Sequence, residues 1–397
     1  MPSVDEQFMH AALEQAERGL YTTTPNPRVG CVFVRDGQII ASGYHKVAGG
    51  PHAEVDAIHN AAAAGVSLQG STAYVTLEPC SHQGRTGSCA QALIPTGVKR
   101  VVAAITDPNP LVAGKGMAIL QAAGIETQVG VLEDEARWLN RGFLSRMERK
   151  RPWVRLKVAS SADGTTALPN GVSQWITGPE ARQDGHKLRA QACAVLTGIG
   201  TVKADNPQLN VRGVETTRQP IKVVVDSQLE ISPDAILLQT GQIIIAHCLA
   251  NTPGLASPHL AVPPTWHLTH PNRDNIQFMD AAPPVEHSAE QTKAQSNNYT
   301  KRKTDLHLLL TKLAEQGIQE LHLEAGFGLN GSFMEAGWVD EVVQYIAPRF
   351  LGEGLGLFRM TGTAKDKENL PQTLDWKVQQ VNTVGTDIKI TWIKSAL

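Results

Sequence analysis

The chain has 397 residues, 42% of them hydrophobic and 19% charged, with a net charge of -2. That length exceeds what one core usually supports, so two domains are expected; a near-neutral chain without a clustered basic face argues against nucleic acid, and no run of about eighteen apolar residues offers a membrane span. The N-terminus MPSVDEQFMHAALEQAERGL reads as an amphipathic helix and not a signal peptide, and five cysteines, an odd number, do not make a disulfide framework, so a cytoplasmic enzyme is expected.

The pattern predicts a helix over about 5–18, then the strand VGCVFV (29–34), a turn at Asp36-Gly37, the strand QIIASGYH and a helix through AEVDAIHNAAAAG. TAYVTLE follows as a strand, CAQALIPTG as a short helix and KRVVAAITD as a strand. GKGMAILQAAG reads as a helix ending at Gly124, IETQVGV as a strand, and a final helix runs to about 147. Strands alternating with helices predict an α/β domain over 1–148. The basic run RMERKRPW reads as a solvated linker, and the second domain is placed at 152–397. There WVRLKVASS, CAVLTGI, IKVVVDS, QIIIAHC, ELHLEAG and EVVQYIAP read as strands, with helices at about 179–191, 304–316 and 328–337. Residues 250–303, rich in Pro, Ala, His, Asn and Thr, read as a surface insertion.

The stretch EPCSHQGRTGSC (78–89) holds two cysteines with eight residues between them. A metal site, a disulfide or a pair of buried thiols would each account for them. Upstream stands Pro51-His52-Ala53-Glu54 at the start of a predicted helix. Two thiolates and one imidazole make a three-ligand set for zinc with one tetrahedral position left over, and helix N-termini favour the thiolate form that zinc requires. His-x-Glu, Pro-Cys and a second Cys, each at a strand–helix junction, resemble the zinc deaminases, in which zinc activates a water and the glutamate, itself no ligand, carries the proton to the departing amine.

Nucleoside, deoxycytidylate and transfer-RNA deaminases usually have two residues between the cysteines. Here the loop is longer and carries His82, Gly84, Arg85 and Thr86. Together with TTTPNPRVG (22–30), GYHKVAGGPHAE (43–54) and TDPNP (106–110), it resembles the deaminase of riboflavin biosynthesis. Gly87-Ser88 stands where that family usually has two prolines. The resemblance implies His52, Cys80 and Cys89 as ligands of one zinc ion and Glu54 as the proton shuttle. It implies Asn26, His45, His82, Arg85 and Asp107 along the substrate pocket, with Arg85 suited to a phosphate.

Four clusters mark the second half: KVASSADGTTA (157–167), SQWIT (173–177), GIGTVKADNPQLNVR (198–212) and EAGFGLNGSFMEAGWVDE (324–341). Residues 326–331 match G-x-G-x-x-G between a strand and a helix, where backbone N–H groups meet a phosphate, but they come late and lack the acidic residue of a Rossmann first unit. In this order the clusters resemble the reductase domain that follows the deaminase in the bifunctional riboflavin enzymes; Ala162 stands where Leu is usual. The resemblance covers nearly the whole chain except 250–303. It implies a cytidine-deaminase-like α/β/α domain followed by a dihydrofolate-reductase-like α/β domain that uses NADPH. Ala159, Ser173, Trp175, Thr201, Asp205 and the run Gly326, Phe327, Gly328, Leu329, Asn330, Gly331, Ser332 are then expected at the dinucleotide. Arg189, Leu209, Arg212 and Glu324 are expected at a phosphoribosyl substrate, and Lys157 and Asp205 are candidates to assist hydride transfer.

The expected function is hydrolytic removal of the 2-amino group from a 2,5-diamino-6-(phosphoribosylamino)pyrimidinone, then reduction of the ribose to a ribityl chain. Two other readings remain at this stage: zinc deamination of a nucleoside or transfer RNA with an unrelated reductase attached, and a non-catalytic zinc-stabilised scaffold. The long cysteine loop with Arg85 argues against the first. Structural zinc normally has four protein ligands, which argues against the second. Whether the chain forms a homo-oligomer is left open.

Overall fold

Ser3 opens the first helix, α1 (Val4–Glu17), in a capping box with Glu6, and Met9, Ala12, Leu13 and Ala16 line its buried face at helical spacing. In the computed structural model, residues 2–81, 87–109, 112–248, 264–283, 303–359 and 376–395 are described. The chain divides into two compact units, Met1–Arg151 with Glu215–Arg218, and Pro152–Val214 with Gln219–Leu397.

In the first unit β1 (Gly30–Arg35) and β2 (Gln38–Tyr44) form an antiparallel hairpin. Both residues of its turn, Asp36 at φ 52° and Gly37 at φ 74°, take the left-handed conformation that such turns require. Then follow α2 (Ala53–Ala63), β3 (Thr72–Val75), α3 (Cys89–Leu93), β4 (Arg100–Ala103), α4 (Lys115–Ala122), β5 (Glu126–Val129), α5 (Glu133–Leu139) and α6 (Arg141–Arg149). The sheet runs β2-β1-β3-β4-β5, antiparallel from β2 to β3 and parallel from β3 to β5. Phe33, Val101, Leu93 and Leu120 are fully buried in the core. The single helix expected up to about 147 is two helices. Asn140 interrupts them at φ -106° because its side chain is bonded elsewhere, accepting from Arg28 N and donating to Arg28 O, both at 2.8 Å.

The second unit contains β6 (Trp153–Ser161), α7 (Pro179–Gln191), β7 (Ala194–Gly198), α8 (Ile199–Asp205), β8 (Ile221–Val225), β9 (Ile243–His247), β10 (Ile276–Asp280), α9 (Leu306–Glu315), β11 (Glu320–Leu323), α10 (Phe327–Glu335), β12 (Glu341–Ala347), β13 (Trp376–Val384) and β14 (Asp387–Lys394). The sheet order is β10-β9-β8-β7-β11-β6-β12-β14-β13, parallel from β10 to β12 and antiparallel at β14 and β13. Both units are α/β, as the alternation predicts, and the central parallel strands are buried along their length, as helices on both faces require.

Three expectations need correction. Residues 264–283, inside the stretch read as a surface insertion, carry β10, which pairs with β9 and buries Ile276, Met279 and Ala281. Its five residues are too short to show a period among Pro, His and Asn neighbours. The remainder of that stretch lies outside the described residues. The expected strand CAVLTGI stops at Gly198, and GTVKAD, for which no helix is expected from the sequence, continues as α8. The β13–β14 hairpin, turning at Gly385, was not foreseen, although its alternation was present in WKVQQVNTVGTDIKITWIK.

Candidate active sites

Three turns of the first unit converge. His52 is the N-cap of α2 and Glu54 lies in that helix's first turn; Cys80 follows β3, and Cys89 is the first residue of α3. The ligand atoms of His52, Cys80 and Cys89 all lie within 4.8 Å of one another. His52 Nδ1 is 3.2 Å from Cys89 Sγ and 3.6 Å from Cys80 Sγ, and the backbone N–H of Cys89 donates to Cys80 Sγ at 3.3 Å. Ser88 ties the two cysteine turns together: its hydroxyl donates to Cys80 O at 2.8 Å and accepts from Gln91 N, capping α3.

The electrostatics suit a cation. A hydrogen bond from Cys89, supported by His52, brings the Cys80 thiol down to about 4, while Cys89, bonded to that sulfur and buried, is pushed up. The same sulfur raises His52. Burial lifts the Glu54 carboxyl to about 7. Two thiols and an imidazole converging without a disulfide are a soft sulfur–nitrogen donor set, which fits zinc.

A cavity of about 260 Å³ opens onto these groups at the carboxyl ends of the parallel strands β3 and β4, where ligands of open α/β sheets bind. Asn26, His45 and Asp107, expected from the resemblance, line it with His52, Glu54 and Cys80. Pro51 O can only accept, so His45 Nδ1, 2.8 Å away, carries the proton. Burial lowers His45 and keeps it neutral, so its Nε2 accepts from Asn26 Nδ2 at 3.0 Å, which leaves the Asn26 carbonyl oxygen as the amide's remaining acceptor. His82 and Arg85 lie outside the described residues. The sequence reading missed Glu78, Val112, Phe143 and Met147 in the lining. Phe143 and Met147 come from α6, and no local pattern announces that a distant helix closes a pocket.

In the second unit the expected groups lie on β6, β7 and β11 or in the segments after them. Gly326 N donates to Thr201 Oγ1 at 3.1 Å, joining the segments after β7 and β11. Gln174, between Ser173 and Trp175, reaches Asp205 at 3.5 Å. Trp175 is 63% exposed under the Arg182 guanidinium, so it is not a core residue. Ala159 and Lys157 are partly buried on β6; burial lowers Lys157, and its ammonium lies 5.6 Å from the Tyr345 ring centre. The run 326–332 is not a glycine loop: Gly326 caps α10, and Phe327, Gly328, Leu329, Asn330, Gly331 and Ser332 are its first turns. Gly331 is there because a Cβ would lie 2.0 Å from Arg359 O.

Arg189, expected at the phosphoribosyl substrate, is engaged within the protein. It grips Glu324 through Nε and Nη2 at 2.5 and 2.7 Å and donates Nη1 to Asn210 O. His322, fully buried and missed by the sequence reading, stands 3.0 Å from the same carboxylate. Burial works to raise Glu324, but Arg189 and His322 hold it well below the usual carboxylate range. Arg212 is exposed, its guanidinium bonded to Gln208 and Asn210. Leu209, in the same loop, takes a left-handed φ of 52°.

The family model described as the cytidine and deoxycytidylate deaminase zinc-binding region matches residues 2–105, and that described as the RibD C-terminal domain matches 152–390. Riboflavin biosynthesis protein RibD of Haemophilus influenzae is 41% identical over 98% of this chain and 97% of its own length; that of Escherichia coli is 41% identical over 97% and 98%. Among solved structures, Acinetobacter baumannii RibD aligns over 99% of both chains at 40% identity with a TM-score of 0.82. A diaminohydroxyphosphoribosylaminopyrimidine deaminase/5-amino-6-(5-phosphoribosylamino)uracil reductase from Thermotoga maritima aligns over 98% of this chain and 99% of its own at 32% identity, TM-score 0.80. Among the described residues no helix is long and apolar enough to cross a membrane. A zinc-type ligand cluster and buried carboxyl in one unit, a reductase-family second unit and full-length likeness lead to one conclusion: the chain belongs to the RibD family, the bifunctional deaminase/reductases of riboflavin biosynthesis.

Proposed function

We propose that the first unit deaminates 2,5-diamino-6-(5-phosphoribosylamino)pyrimidin-4(3H)-one and that the second reduces the deaminated product's ribose with NADPH, both in the cytoplasm. The observation that carries the first half is the meeting of His52, Cys80 and Cys89 within 4.8 Å beside a buried carboxyl. When bound, zinc supplies the Lewis acidity for hydrolysis at neutral pH. Glu54, poised near neutrality, takes a proton from the attacking water and returns it to the exocyclic nitrogen, which leaves as ammonia. His45 holds Asn26 with its amide carbonyl as acceptor for an N–H of the ring.

In the second unit, the first turn of α10, held beside Thr201 by the Gly326 N–H, offers its backbone N–H groups to a dinucleotide. NADPH, when bound there, supplies the hydride that reduces the opened sugar. Lys157 is assigned to polarise the aldehyde oxygen or deliver its proton, with Asp205 as the alternative, and the Arg189–Glu324 pair to orient the ribosyl hydroxyls.

Metal analysis, ammonia release from the diaminopyrimidine and NADPH oxidation by the deaminated product test this reading together. One zinc per chain with both reactions is expected. Ammonia released from cytidine instead, or zinc without ammonia from either compound, overturns it.

A further inference from the structure

Glu78 stands two residues before the ligand Cys80, and its carboxylate is buried, with 2% exposure. Among the described residues no cation faces it in an ion pair. Instead it accepts four backbone N–H groups. Asp107 N and Gly114 N donate to Oε2 at 3.1 and 2.9 Å, and Gly116 N and Met117 N donate to Oε1 at 2.9 and 3.4 Å. One carboxylate thus fastens both ends of the segment that carries Asp107 and Asn109 to the wall of the deaminase cavity. It also does for α4 what that helix's own N-cap, Gly114, cannot, since glycine has no side chain to satisfy the first amides.

A second observation agrees. A Cβ at Gly116 would lie 1.8 Å from Pro79 O and 3.2 Å from Glu78 Oε1, so the far end of the segment is pressed against the turn that leads into Cys80. Asp107 continues the hold locally, its Oδ1 accepting from Asn109 N at 2.8 Å. The metal-binding turn and the substrate wall are therefore built from one anchor.

We infer that Glu78 is a positioning residue of the deaminase, which acts through Asp107 and Asn109 to set substrate affinity and leaves the metal ligands and Glu54 to the chemistry. The inference rests on the deaminase reading above. A side chain ordered by a buried charge in low dielectric holds its position more firmly than a solvated loop would, and substrate affinity lost to misplacement is lost in the ground state and transition state alike.

The test is a double-mutant cycle on the full zinc-loaded chain, assayed by ammonia release. Glu78→Gln keeps the shape but turns an N–H₂ toward N–H donors, and is expected to raise KM about tenfold while kcat changes by less than about threefold. Zinc is expected to stay at one per chain. In Glu78→Gln/Asp107→Ala the KM is expected to rise by clearly less than the product of the two single effects, because Glu78 acts in part through the side chain already removed. Gly114→Ala, at an exposed position with φ 72° and open space around it, strains the backbone whose N–H bonds Glu78 while leaving the carboxylate itself in place, and is expected to shift KM in the same direction. It carries the test if Glu78→Gln does not fold. An unchanged KM in the folded variants, additive KM effects in the cycle, or a fall in zinc content equal to the fall in rate would overturn the inference. Wild-type chain that releases no ammonia would instead overturn the deaminase reading, so the two failures are told apart.

Discussion

The deaminase cavity and the reductase region lie at corresponding places, the carboxyl ends of parallel strands, yet their polar groups are spent differently. In the first unit the chemically active atoms face one small cavity, and Glu78, buried beside the ligand turn, accepts four backbone amides. In the second unit the charges hold one another: Arg189 is doubly bonded to Glu324, with His322 behind it. A site that must grip a metal needs ligands fixed by the backbone. A site that admits a large dinucleotide and a sugar phosphate draws on several strands, and its charges need partners while the ligands are absent.

The sharpest way to break this contrast is Glu54→Gln. The zinc ligands remain, but the proton carrier is gone, so ammonia release is expected to fall about 10²–10⁴-fold with zinc retained and NADPH-dependent reduction unaffected. Metal analysis and separate assays of the two reactions check it; near-normal deamination would remove Glu54 from its role.

Next in size is Arg189→Ala, which leaves Glu324 with its main partner gone. Both side chains are less than one-fifth exposed, so a loss of about 3 kcal/mol from the reductase unit is expected, the lower end of the range for a broken buried pair. Chemical denaturation monitors it. Acid tests the same pair from the other side. Glu324 has a folded pKa below its unfolded value of about 4.3, so its contribution is present in full above that pH and is lost as the pH falls through the folded value. Glu324→Gln is expected to flatten the stability of the reductase unit below about pH 4 relative to wild type, whatever it does at pH 7. An acid limb identical in the variant would show that other carboxylates govern it.

These pairs also mark the limit of what was legible. His52, Glu54, Cys80 and Cys89 announced themselves because each residue type is chemically demanding and each stands at a strand–helix junction that local pattern reveals. Glu78 stood in the same quoted stretch and passed as the last residue of a strand, because its partners are backbone amides after β4, and no side-chain spacing encodes them. Arg189 and Glu324 are each expected at the phosphoribosyl substrate, but their pairing joins α7 to the residue after β11, which no local spacing encodes, and the structure has a closed ion pair there. β10 failed for another reason: a five-residue strand fully supported by its neighbour β9 needs little intrinsic signal, since tertiary pairing overrides propensity. Met279→Ala checks that this strand belongs to the core. At 4% exposure it is expected to cost about 2 kcal/mol or more by chemical denaturation, whereas a surface insertion would tolerate it within about 0.5 kcal/mol.

The smallest expected effect separates the two regions most cleanly. Arg212 is exposed, and among the described residues its guanidinium is held by Gln208 and Asn210 within its own loop, where Leu209 takes a left-handed conformation. If it meets the substrate phosphate it does so in water, where such pairs are weak and screened. Arg212→Ala is therefore expected to weaken the deaminated substrate in the reductase by about 1 kcal/mol, roughly fivefold in KM with kcat little changed. The difference should shrink as salt rises from about 0.01 to 0.5 M, because the Debye length falls over that range. On the proposed reading, Glu324 and Arg189 are left in place to orient the sugar, so kcat is expected to be spared. Ammonia release should not respond at all, since every deaminase ligand precedes residue 90 and belongs to the other compact unit. A KM indifferent to the substitution at low salt would place the phosphate on other groups, and a parallel loss of ammonia release would show that the two catalytic regions are coupled.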